Sequence, residues 1–177
     1  MIILTGVAGS GKSSQGKILA DEHGYAWIST GEILRVLVTG KRRQEMLQGK
    51  LLSDDEMIAI LDKIFELIDV DQEFVLDGFP RTIPQADWLL EQVHKKRFKL
   101  SGVVHLQASE QVVHDRLMGR GRVDDTEEAI KKRFDEYRAV TVPIIEHFRR
   151  EGVPVCDIDA SQESRVVHDT ILKCIDD

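Results

Sequence analysis

Gly6-Val-Ala-Gly9-Ser10-Gly11-Lys12-Ser13-Ser14 lies directly behind the apolar run 1–5. Its spacing fits the Walker A pattern, with a short β-branched strand before it and a helix-like stretch after it. The chemistry follows from the residue types. Glycines let consecutive backbone N–H groups curl round an anion, and the N-terminus of the next helix adds partial positive charge. Lys12 can reach the terminal phosphates of a bound triphosphate, and Ser13 or Ser14 can ligate Mg²⁺. The plainer alternative is a Gly-rich turn. The position between strand and helix favours a phosphate cradle.

A cradle for one triphosphate does not account for the arginines that follow. Arg35, Arg81, Arg120, Arg122 and Arg133 come after predicted strand ends or on the segment hanging off one, and Arg116 shares a helix face with Arg120. Singly, each reads equally well as a solvated surface charge. Together they suit two polyanions whose mutual repulsion must be cancelled, because guanidinium forks bind phosphate bidentately and stay charged. The set suggests phosphoryl transfer between two phosphorylated substrates rather than hydrolysis. Asp77 closes an apolar strand, where a carboxylate can order the water shell of Mg²⁺; otherwise it is a turn cap before Gly78. Asp125-Thr-Glu-Glu128 has the spacing of a capping box with Asp125 as N-cap.

Positioning these groups takes strands whose ends meet at one rim. Apolar runs at 1–5, 25–29, 73–77, 102–106 and 153–158 predict strands. Helical patterns are expected at 12–22, 31–38, 54–68, 84–95, 109–118, 126–150 and 161–174. Near-continuous apolar strands separated by amphipathic helices predict an α/β class: a five-stranded parallel sheet covered by helices on both faces. Ligands bind beyond the carboxyl ends of such strands.

Bulk properties bound the rest. The 177 residues suit one domain, and no linker or repeat interrupts them. A net charge of −7 argues against nonspecific binding to nucleic acid or acidic membrane. No apolar stretch approaches the roughly 20 residues needed to cross a bilayer, and a signal peptide is not expected. The two cysteines, Cys156 and Cys174, have no CxxC spacing and are expected to be reduced in a cytoplasmic protein. The six histidines are scattered, with His105 expected at a strand end and the others, including His23 and His168, on helix faces. Their spacing offers no transition-metal site and no nucleophilic triad. A monomer is the default expectation.

Four motifs in order then resemble the adenylate kinases: GVAGSGKSSQ (6–15), ISTGEILR (28–35), DGFPRTIPQ (77–85) and GRVDD (121–125), continued by TEEAIKKRFDEY (126–137). The resemblance covers essentially the whole chain and implies a P-loop NTPase fold. Its implied activity is reversible, Mg²⁺-dependent transfer of the γ-phosphoryl of ATP to AMP, giving two ADP. Carried over by position, Gly9, Ser10, Gly11, Lys12, Ser13 and Ser14 resemble the ATP cradle, with Arg116 and Arg120 beside it and Ser161 and Gln162 against the base. Thr30, Arg35, Lys50, Leu51, Leu52, Gly78, Arg81 and Gln85 resemble the AMP site, with Gln85 reading the adenine edge. Arg122 and Arg133 resemble the pair gripping the transferring phosphoryl group, Asp124 and Asp125 the acids that position those arginines or help close the lid, and Ser13 and Asp77 the Mg²⁺ side. The AMP-binding segment would span about 29–52 and the lid about 119–125.

The chain also departs from the family pattern. Ser13-Ser14 stand where Gly-Thr is usual, and Ala8 replaces proline. Only Gly121 separates Arg120 from Arg122, so the insertion that normally covers ATP is nearly absent. The segment between Arg35 and Lys50 is trimmed as well. Two alternatives follow: a kinase of UMP and CMP, disfavoured by Thr30 and Gln85, and a nucleotide-binding regulator that lost transfer. A general P-loop ATPase leaves the monophosphate-side residues unexplained.

Overall fold

The computed structural model of the chain describes residues 1–47, 52–121 and 125–176. Strands β1 (Ile2–Thr5), β2 (Ala26–Ser29), β3 (Phe74–Asp77), β4 (Gly102–Gln107) and β5 (Val155–Asp159) form one sheet in the order β2-β3-β1-β4-β5. Every pairing is parallel, with Ile3 opposite both Leu76 and Val103. The five strands expected from the sequence are all present, with ends shifted by one or two residues.

The alternation of side chains along the strands decides which helices cover which face. Ile3, Phe74, Leu76 and Val103 point to one core, completed by α4 (Asp54–Leu67), α5 (Ile83–His94) and α8 (Val142–Arg150) through Leu61, Phe65, Leu89 and Phe148. Ile2, Leu4, Val75, Val104 and Leu106 point to the other, closed by α1 (Lys12–His23) and α9 (Ser164–Asp176) through Leu19, Val167 and Ile171. A third cluster of Val7, Val113, Leu117, Ile130 and Phe134 ties the glycine loop to α6 (Glu110–Arg120) and α7 (Glu127–Glu136). Helices therefore lie on both faces, and the sheet is buried between them. Among the described residues, no helix is long and apolar enough to cross a membrane.

Four local readings change. The helix expected over 126–150 is continuous in direction but carries a π turn at Tyr137–Thr141, where Val142 N–H reaches back to Tyr137 O. Pro143 follows at once, and a proline has no N–H for the regular ladder and crowds the preceding turn. The short helices α2 (Thr30–Leu37) and α3 (Gly40–Leu47) occupy the segment after β2. The second was not expected, because Gly-Lys-Arg-Arg-Gln-Glu-Met-Leu is helix-forming in residue type yet has no apolar periodicity. Thr126, not Asp125, is the N-cap of α7, its hydroxyl accepting from Ala129 N. Finally, Cys156 and Cys174 are not reduced: packing β5 against α9 brings their Cα atoms to 6.4 Å and the sulfurs are bonded.

Candidate functional site

The glycine loop leaves β1 and enters α1 at Gly11, whose φ of 102° is a conformation only glycine adopts freely. Helices α4, α5, α6 and α7 each begin with a Ser or Thr side chain accepting a first-turn N–H. Helix α1 has no such cap and no acidic residue in its first turn. Its first N–H groups are thus left to an external anion, at the positive end of the helix dipole. Ser10 is 2 % exposed, and its hydroxyl makes no hydrogen bond among the described residues.

Lys12 lies across this loop, its Nζ donating to Gly6 O at 2.8 Å and Val7 O at 2.9 Å. Burial draws its pKa down from 10.5 to about 8; Asp77 opposes the shift, and the positive charges of Arg81 and Arg120 add to it. Arginines from the β3 loop and from the end of α6 therefore both act on the same ammonium. Ser13 Oγ donates to Asp77 Oδ2 at 2.8 Å, and Asp77 is 3 % exposed at the end of β3. A hydroxyl and a carboxylate side by side are the hard oxygen donors Mg²⁺ takes, directly or through water, so this pair fits that ion. Ser14 is exposed at the start of α1.

Beyond β3, Gly78 has φ +83°, and a Cβ there would stand 2.7 Å from Thr30 Oγ1. Only glycine lets the loop approach α2 so closely. Thr30, buried at 2 %, donates from its hydroxyl to the carbonyls of Gly78 and Asp77, at 3.0 and 3.2 Å. The Phe79–Pro80 peptide that follows is cis. Arg81 Nε donates to Gly78 O at 2.9 Å. Gln85 is 4 % exposed and holds protein partners with both ends of its amide: Oε1 accepts from Arg81 N at 2.7 Å, and Nε2 donates to Asp54 Oδ1 at 2.8 Å. These two bonds use one of the two N–H donors and one of the two lone pairs of the amide. Arg35, half-exposed on α2, pairs with Glu32 at 2.6 Å. Leu52 packs at the edge of the first core.

Asp125 organises the opposite wall. Its side chain is 1 % exposed and accepts from Arg120 Nε at 2.9 Å, Arg120 Nη2 at 2.7 Å and Arg133 Nη1 at 2.7 Å. Burial alone would raise its pKa, but the hydrogen bonds from Arg120 and Arg133 outweigh that and hold it at about 2. One carboxylate thus joins an arginine at the end of α6 to another on α7. Past β5, Asp159 gathers Ser161 and Gln162 by hydrogen bonds of 2.5–2.9 Å. Those bonds, aided by the charge of Arg116, hold Asp159 at about 2.

Most of the residues singled out from the sequence therefore meet at the carboxyl rim of the sheet. Lys50, Leu51, Arg122 and Asp124 lie outside the described residues. Sequence reasoning missed Asp54, whose link to Gln85 spans 31 positions and whose place at a helix start has an ordinary explanation. It also underrated His105. That ring is 4 % exposed and bridges Asp157 and the Tyr137 hydroxyl at 2.6 Å each, pinning β4 to the π turn just after Arg133's helix.

Comparison with known proteins agrees with this geometry. The family described as adenylate kinase matches residues 4–153. The adenylate kinase of Corynebacterium urealyticum is 35 % identical over 99 % of this chain and 98 % of its own length. That of Corynebacterium aurimucosum is 38 % identical over 98 % and 97 %, and that of Nitrobacter hamburgensis 37 % identical over 85 % and 80 %. With the match spanning nearly every residue that builds the rim, the chain belongs to the adenylate kinase family.

Proposed function

We propose that the rim binds Mg·ATP and AMP side by side and moves the γ-phosphoryl group between them, giving two ADP. The observation that supports this most is the gathering of cations from separate elements on one rim: Lys12 across the glycine loop, Arg81 against Gly78 beyond β3, and Arg120 and Arg133 joined by Asp125. A hydrolase needs charge neutralisation on one substrate, whereas a transfer between two polyanions needs it from both sides.

In this reading the open N-terminus of α1 and the loop N–H groups hold the donor phosphates, and Lys12 spans β and γ. Arg35 and Arg81 hold the monophosphate. Arg120, Arg133 and, by the family resemblance, Arg122 neutralise the group in flight. Ser13 and Asp77 would hold Mg²⁺, which supplies charge neutralisation when bound. No general base is required, since positioning and electrostatics carry most of a phosphoryl transfer. The whole chain acts as one nucleoside monophosphate kinase domain, with the AMP segment at about 29–52 and the lid at about 119–125.

An acceptor panel tests the proposal. With ATP as donor, AMP should give ADP far faster than CMP, UMP, GMP or dAMP, and Arg81→Ala should lower the rate by at least 100-fold, the scale of losing one charged transition-state contact. Tight ATP binding without ADP formation from any acceptor would sink the transfer reading. Preference for CMP or UMP would move it to the pyrimidine enzymes.

A further inference from the structure

A second polar cluster sits at the far end of α1, away from the nucleotide rim. Helix α1 has 12 residues, about 18 Å at 1.5 Å per residue, with Lys12 at one end and Glu22 and His23 at the other. Helix α9 packs alongside and adds His168. The ligand atoms of Glu22, His23 and His168 all lie within 4.8 Å of one another. The His23 and His168 rings stack at 5.6 Å. Sequence spacing hid the group, because His168 is far along the chain from the other two.

His168 is the unusual member. It is fully buried, yet neither Nδ1 nor Nε2 has a hydrogen-bond partner among the described residues. Nε2 stands 3.5 Å from Glu22 Oε2 without bonding it. Leaving a buried polar atom unpaired costs about 1–3 kcal/mol, and native proteins rarely tolerate it without a ligand or water. Glu22 and His23 are exposed, so the buried nitrogen faces a partner set open to solvent.

We propose that Glu22, His23 and His168 form a binding site for a divalent cation of the zinc class. Two imidazoles and a carboxylate are the borderline donors that favour Zn²⁺ or Co²⁺ over Mg²⁺, and three protein ligands leave one position open. In a tetrahedral zinc site with ~2.0 Å bonds, ligand atoms stand about 3.3 Å apart, so small rotations of the two exposed side chains close the present spacing. The negative end of the α1 dipole lies here and favours a cation. Arg165 Nη1 donates to both carboxylate oxygens of Glu22, at 2.6 and 2.8 Å. These bonds fix the orientation of the carboxylate, as outer partners do at metal sites, and leave its oxygens further lone pairs for a cation.

Zn²⁺ titration of the nucleotide-free protein in excess Mg²⁺ tests this, with Co²⁺ as a spectroscopic substitute. Expected are one equivalent bound more tightly than ~100 μM, a tetrahedral Co²⁺ absorption band, and a rise in Tm with Zn²⁺. His23→Gln and Glu22→Gln, both exposed changes, should each weaken binding at least tenfold. His114→Gln, in the separate exposed group with Glu127 and Asp115, should leave it intact. His168→Asn should abolish binding, and the two exposed variants keep the test valid if that protein folds poorly. Absence of stoichiometric uptake overturns the site, as does uptake unchanged in His23→Gln and Glu22→Gln or lost in His114→Gln.

Discussion

At Asp125, one carboxylate holds two cations that would otherwise repel each other, and its titration reports how strongly. Its folded pKa of about 2 lies below the ordinary 3.8, so the interaction adds stability above the unfolded value and loses it as pH falls through the folded one. The shift corresponds to about 2 kcal/mol at neutral pH. Asp125→Asn should therefore lower unfolding stability by that amount at pH 7, and the difference from wild type should shrink by about half by pH 3. Urea denaturation at the two pH values checks it. An equal deficit at both would mean that packing, not charge, carries the effect. Lys12 makes the complementary case. Its free-state pKa of about 8 must rise when polyphosphate arrives, so binding takes up a proton. At pH 8 calorimetry in two buffers of different ionisation enthalpy should find uptake of about half a proton per Mg·ATP. Affinity should weaken by up to tenfold per pH unit above 8. Zero proton exchange at pH 8 would show that the lysine is already fully charged in the free protein.

Elements were legible from the sequence where their ends carried a consistent chemical signal. Four-residue apolar runs followed by Gly-rich, Arg-rich or Ser-Thr segments marked β1, β2 and β3 and the loops beyond them, and the rim of the site followed. What stayed hidden depends on contacts between elements distant in sequence. Asp54 meets Gln85, His105 meets Tyr137, and Asp125 serves two arginines rather than its own helix. A local window sees an acidic N-terminus, a strand residue and a capping box, because each local rule is satisfied by those residues too. The proposed lid, at about 119–125, is where sequence alone makes a functional prediction. Only Gly121 stands between Arg120 and Arg122, leaving little chain to cover ATP and exclude water. Without AMP, the protein should hydrolyse ATP measurably. A hydrolysis rate below about a thousandth of the transfer rate would mean that closure excludes water by other parts of the chain.

For the molecule as a whole, two helices on one sheet face carry opposite duties. Helix α1 offers its N-terminus to the rim, while α9 closes the core beneath it through Val167 and Ile171. In the sheet β5 is the edge strand beside β4, and α9 packs on β5 and α1. The Cys156–Cys174 bond joins them across 18 residues of sequence. Closing a loop of that length removes about 3 kcal/mol of unfolded-state entropy in the chain-entropy treatment. In a chain of this size each kcal/mol moves Tm by about 2–4 °C, so reduction should lower Tm by roughly 6–12 °C. A Cys156→Ala, Cys174→Ala double variant should match the reduced wild type and be indifferent to reductant. Lys12, Asp77, Arg81, Arg120, Asp125 and Arg133 lie outside the loop closed by the bond, and of the rim only the turn of Asp159, Ser161 and Gln162 falls within it, so transfer activity at 25 °C should survive reduction. A thermal shift of this size with activity retained would assign the bond to the stability of the α9 layer. Loss of activity on reduction would instead tie the α9 layer to the α1 N-terminus through the shared core.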